Sequence, residues 1–82
     1  MASKEAVQQK VIEIIAEQLG REVTDISVDN DLSNDLGADS LDAAELMIAF
    51  EEEFDIDIEE ESQQNLTTVG DVINQIVKQL GE

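Results

Sequence analysis

The sequence predicts an all-α fold: a small four-helix bundle of three longer helices and one short one, with a long first loop. Three observations carry this. Segments near the two ends set aliphatic residues at helical spacing, and each stops at a glycine. A third periodic segment follows Asp39, a residue type suited to start a helix. Ile56 and Ile58 alternate with acids like a strand, but a lone short strand has nothing to pair with. The 82 residues, 41% of them hydrophobic, are enough for one core, so residues 1–82 are expected to form a single domain.

The first helix is expected from Lys4 to Leu19. Val7, Val11, Ile12, Ile14, Ile15 and Leu19 fall on one arc at ~100° per residue, opposite Lys10, Glu13 and Glu17, and Gly20 stops it. Between Gly20 and Asp39, Val23, Ile26, Val28, Leu32 and Leu36 are spaced through polar residues. A connection that long is uncommon without a purpose, and its aliphatics predict a loop pinned across the core.

The second helix is expected over Ser40–Glu53. A short helical turn is expected over Glu59–Asn65. The last helix runs from Val69 to Leu80, with Val69, Val72, Ile73, Ile76, Val77 and Leu80 on one stripe. Thr68 with Asp71 three residues on forms a capping-box pattern, and Gly81 ends the helix.

Composition excludes several kinds of function. The net charge is −17, from 21 acids and 4 bases, and the chain has no His, Cys, Trp, Tyr or Pro. It therefore lacks the usual general base, any thiol nucleophile and the common zinc ligands, so catalysis by the chain alone is not expected. No dedicated metal site is expected either, beyond weak binding of cations at surface acids. Phosphate backbones and anionic membranes would repel it, so neither nucleic acid nor membrane insertion is expected. The start of the sequence has no apolar signal-like run, which reads as a cytoplasmic protein or one inside an organelle. Residues 22–77 hold 17 acids and no Lys or Arg, so the excess charge lies there. Asp39 with Asp42, and Glu51 with Asp55, are pairs that would bind divalent cations weakly. The Asp29-x-Asp31-x-Ser33 run opens like a calcium loop but fails at Asn34 and Ser40, where Gly and Glu are needed.

The second helix has two apolar faces. Ala43, Leu46, Met47, Phe50 and Phe54 form a large one, suited to the core. Leu41, Ala44 and Ile48 form a smaller one, centred ~140° away and interleaved with Glu45, Glu51, Glu52 and Asp55. A core face has no reason to be ringed by carboxylates. An apolar centre with a charged rim is how a docking surface is built. At the start of the helix, Asp39 reads as the N-cap and Asp42 as its N3 partner, both favoured by the helix dipole. Ser40 then presents its hydroxyl to solvent beside the free backbone N–H groups of a helix start, a good place for a phosphodiester.

Over nearly its whole length the chain resembles the acyl carrier proteins. Leu36-Gly37-Ala38-Asp39-Ser40-Leu41-Asp42 is similar to that family's attachment motif. Glu45-Leu46 with Ala49-Phe50-Glu51-Glu52-Glu53-Phe54 resembles its second helix, and Thr67-Thr68-Val69-Gly70-Asp71-Val72-Ile73 the start of its last. Many relatives have a proline after the position of Ile58. Its absence here leaves the start of the short helix less fixed.

The resemblance implies that Ser40 carries covalent 4′-phosphopantetheine, transferred from coenzyme A by a phosphopantetheinyl transferase. It implies a non-catalytic carrier of growing acyl chains as thioesters in fatty acid synthesis, expected to be monomeric. Its partners would be fatty acid synthase enzymes and acyltransferases with basic docking patches. The docking face expected for them is Asp39, Leu41, Ala44, Glu45, Ile48, Glu51 and Glu52. Acyl chains are expected to fold back against Leu46, Met47, Phe50, Ile58, Leu66 and Ile73. A small acidic adaptor explains the charge but not the motif, and D-alanyl, polyketide or peptidyl carriers share the serine.

Overall fold

Ser3 starts the first helix: its hydroxyl accepts the Ala6 N–H at 3.1 Å, satisfying one of the donors that every helix start leaves open. Helix α1 (Lys4–Leu19) ends at Gly20, whose φ of 66° lies in the left-handed region that glycine enters without a Cβ penalty. The computed structural model describes residues 3–59, 63 and 65–81. Its other elements are a 3-10 turn (Val23–Asp25), α2 (Ser40–Phe54) and α3 (Val69–Gln79). There is no strand among the described residues, so the all-α expectation holds. The expected turn over Glu59–Asn65 lies largely outside them, although the Gln63 N–H donates to the Glu59 carbonyl at 3.0 Å.

Helix α1 is the element on which both others pack. Val7, Val11 and Ile15 are buried on it, with Ile12, Ile14 and Leu19 partly buried; Ala16, outside the expected stripe, is buried too. Leu46, Met47 and Phe50 come in from α2, and Val69, Val72, Ile73 and Ile76 from α3. Fully burying each such side chain stabilises the fold by ~1.5–3 kcal/mol, which is what overcomes the self-repulsion of the charge.

The long loop is pinned as expected at Ile26, Leu32 and Leu36, all buried, and at Val28, partly buried. Val23 is a correction. It stands 46% exposed at the start of the 3-10 turn and is not part of the core.

The loop docks on the start of α3 by its backbone. The Val69 N–H donates to the Asn30 carbonyl (3.0 Å), the Gly70 N–H to Val28 (2.9 Å) and the Leu32 N–H to Thr67 (3.0 Å). The Thr68 hydroxyl accepts the Asp71 N–H at 3.1 Å, and the Asp71 carboxylate accepts those of Thr67 and Thr68, each at 3.1 Å. The open donors of the helix start are thus taken up by the loop and the cap. These bonds hold the Asp71 carboxyl below the usual aspartate range, chiefly through the Thr68 backbone, then that of Thr67.

Candidate functional site

The segment that delivers Ser40 is wound on itself. The Asp31 carboxylate accepts the N–H groups of Ser33 and Asn34, both at 2.9 Å, while the Asp31 carbonyl accepts those of Asp35 (2.9 Å) and Leu36 (3.1 Å). The Ala38 N–H donates to the Leu32 carbonyl at 2.8 Å, and Gly37 turns the chain at a φ of 75°. Leu36 and Ala38 are buried, so the residues just before the helix are anchored from below. From the end of α1 the Arg21 guanidinium donates to the Leu36 carbonyl at 3.2 Å.

At the helix start the reciprocal cap is present. Asp39 accepts the Asp42 N–H at 2.9 Å, and Asp42 accepts the Asp39 N–H at 3.3 Å. Ser40 is the first residue of α2 and is exposed. As the first two helical residues, Ser40 and Leu41 have N–H groups with no carbonyl a turn back inside the helix, and no other partner for them occurs among the described residues. A hydroxyl open to solvent beside two free amides at the positive end of a helix fits a phosphodiester. The residues present therefore suit the attachment of phosphopantetheine.

Along α2 the two-faced reading is visible. Leu41 is 67% and Ile48 55% exposed, and Ala44 is exposed between them. Asp39, Glu45 and Glu52 are exposed around this strip. Besides Asp39, which is held in the cap, two more of the rim carboxylates have partners within the protein. Glu45 accepts the side-chain amide of Gln18 on α1. Glu51 accepts the Ile58 N–H at 2.8 Å. Asp39 and Asp42 each commit one oxygen to the cap, and no group of three or more potential metal ligands occurs among the described residues.

The expected chain-lining residues are brought together. Leu46, Met47, Phe50, Ile58 and Ile73 belong to the buried cluster formed by the described residues, and Leu66 packs against it partly buried. Ile58 is held at both backbone groups: the Gln63 side-chain amide donates to its carbonyl at 3.0 Å. Sequence reasoning missed Gln18 and Arg21 as supports of the site. Only the neighbourhood of a helix end and the scarcity of cations set them apart.

Residues 9–76 match the family described as "Phosphopantetheine attachment site". The acyl carrier protein of Clostridium acetobutylicum is 50% identical over 70 residues, covering 85% of this chain and 91% of that protein. Among solved structures, the acyl carrier protein from Enterococcus faecalis superposes with a TM-score of 0.80 at 31% identity, covering 95% of this chain and 99% of that one. That from Thermotoga maritima gives 0.81 at 31% identity, over 95% and 91%. No helix among the described residues is long and apolar enough to cross a membrane.

Proposed function

The chain belongs to the acyl carrier proteins, and from that premise we propose that Ser40 is its attachment point and that it carries growing acyl chains in fatty acid synthesis. The observation that carries this reading is the exposed Ser40 hydroxyl at the capped start of α2, beside two free backbone amides. When bound, phosphopantetheine supplies the thiol that the chain lacks, and with it a place to hold an acyl group as a thioester.

The protein's own residues hold and present. Asp39 and Asp42 keep the first turn of α2 wound, and Arg21 with the buried Leu36 and Ala38 fixes the segment before it. The chain makes and breaks no covalent bond itself. Leu41, Ala44 and Ile48 seat a partner, while Asp39, Glu45, Glu51 and Glu52 draw in basic patches on a phosphopantetheinyl transferase, on fatty acid synthesis enzymes and on acyltransferases. Weak, fast, salt-sensitive contacts suit a monomeric carrier that must leave each partner quickly. The setting proposed for this work is the cytoplasm or the interior of an organelle.

Acyl chains fold back among Leu46, Met47, Phe50, Ile58, Leu66 and Ile73. These side chains are packed, so a chain enters by displacing them, and the aliphatic and thioether groups among them yield more readily than the Phe50 ring. Methyl signals of Leu46, Met47 and Ile73 should shift as longer chains are attached; signals that stay put would remove this part of the reading. The attachment itself is tested by intact mass after incubation with coenzyme A and a phosphopantetheinyl transferase. Wild type should gain the mass of one phosphopantetheine and Ser40→Ala none; an equal gain in the variant would refute the assignment.

A further inference from the structure

Glu51 belongs to two surfaces at once. At 100° per residue it shares the outer face of α2 with Ala44 and Ile48, and so stands in the rim of the docking strip. Its carboxylate also reaches forward across the end of the helix to accept the Ile58 N–H at 2.8 Å, a short, charge-assisted bond. Its backbone carbonyl takes two more donors of the same turn, the N–H of Asp55 and, at 3.1 Å, that of Ile56. Asp55 adopts a left-handed φ of 53°, which swings the chain back so that Ile58 enters the core, where it is 3% exposed. One residue therefore gathers the turn after α2 and presses a core side chain into place.

From this we infer that Glu51 is a positioning residue linking partner docking to the core wall: a basic partner group that takes its carboxylate loosens Ile58. The inference rests on the carrier reading above, in which the rim meets partners and Ile58 lines the chain's path. The chemistry is a competition for one acceptor. Only one carboxylate oxygen, Oε2, is committed to Ile58, so Oε1 can receive a partner's Lys or Arg first. Each charge drawn onto the carboxylate weakens its hold on the amide, and a guanidinium that takes both oxygens replaces it outright. With the N–H released, the Gln63 tie to its carbonyl is the one backbone hold left on Ile58 among the described residues. Rim and core are then coupled through a single side chain, without movement of α2 itself. Glu45 and Glu52 lack this link, since Glu45 binds Gln18 and Glu52 is exposed.

The test is amide hydrogen exchange on the phosphopantetheine-loaded protein, with loading verified by mass so that failed attachment is separately visible. Glu51→Ala should speed exchange at Ile58 by about tenfold or more while Leu46 and Ile73 stay slow, and Glu51→Gln, which keeps an acceptor oxygen without its charge, should lie between Glu51→Ala and wild type. Tetralysine at low salt should then speed Ile58 exchange in wild type and leave Glu51→Gln unmoved. Unchanged Ile58 exchange in Glu51→Ala overturns the inference. So does tetralysine that shifts the Glu52 amide, and is therefore bound, yet leaves Ile58 as protected as before.

Discussion

The Gly70 N–H donates to the Val28 carbonyl at 2.9 Å, and a Cβ at Gly70 would lie 3.2 Å from that same oxygen. Two residues far apart in sequence thus meet backbone to backbone where the long loop lies on the start of α3. Replacing a helix glycine by alanine normally stabilises by up to ~1 kcal/mol. Here the added methyl must push back a loop that three backbone bonds hold. Gly70→Ala is expected to lower stability by up to ~1 kcal/mol, read from chemical denaturation. A gain near ~1 kcal/mol would show that the loop yields without cost.

The cap of α3 makes stability depend on pH in a defined direction. The Asp71 carboxyl is held below its ordinary value by the Thr68 and Thr67 amides. A lowered folded pKa contributes stability that is present above the unfolded value, near ~3.9, and is lost as pH falls through the folded one. Removing acid groups also relieves the general repulsion of this chain, so the comparison needed is wild type against Asp71→Asn. Their difference in stability should be constant above about pH 5 and shrink as pH falls below the ordinary aspartate range. A difference that stays the same at every pH would mean that the carboxylate charge contributes nothing to the cap.

How much of this is legible in the sequence depends on how far each relationship reaches along the chain. The Asp39–Asp42 and Thr68–Asp71 caps can be read directly, because each partner is three residues away within one element and the pattern is local. Helical periodicity likewise places Phe50 and Ile73 in the core and Leu41 and Ile48 outside it. Val23 misleads because an aliphatic residue in a loop has no period to say which side it faces. The tie from Glu51 to Ile58 depends on the left-handed turn at Asp55, which a non-glycine residue does not announce. Gln18 and Glu45 are joined only by the packing of α1 on α2, a tertiary fact with no local trace.

Docking should separate into a charged part and an apolar part. Glu45→Lys combined with Glu52→Lys should slow association with a phosphopantetheinyl transferase by about tenfold at ~0.01 M salt, where charges act over ~30 Å. The deficit should fade near ~0.15 M as screening shortens that range to ~8 Å. Ile48→Ala should instead hasten dissociation, with a loss of about 1 kcal/mol that salt does not change. Association rates in the double variant that match wild type at low salt would rule out the acidic rim as an attractor.

The central claim is that one side chain, Ser40, carries the prosthetic group. Fragmentation of the intact, transferase-treated protein in a mass spectrometer tests it most directly, because the chain has other serines, Ser27 and Ser33 in the long loop among them. The added mass should appear only in fragments that contain Ser40, leaving those that end before Asp39 or begin after Leu41 unmodified. Modification found on Ser27 or Ser33, or no added mass on a folded wild-type chain under conditions that load another acyl carrier protein, would contradict it.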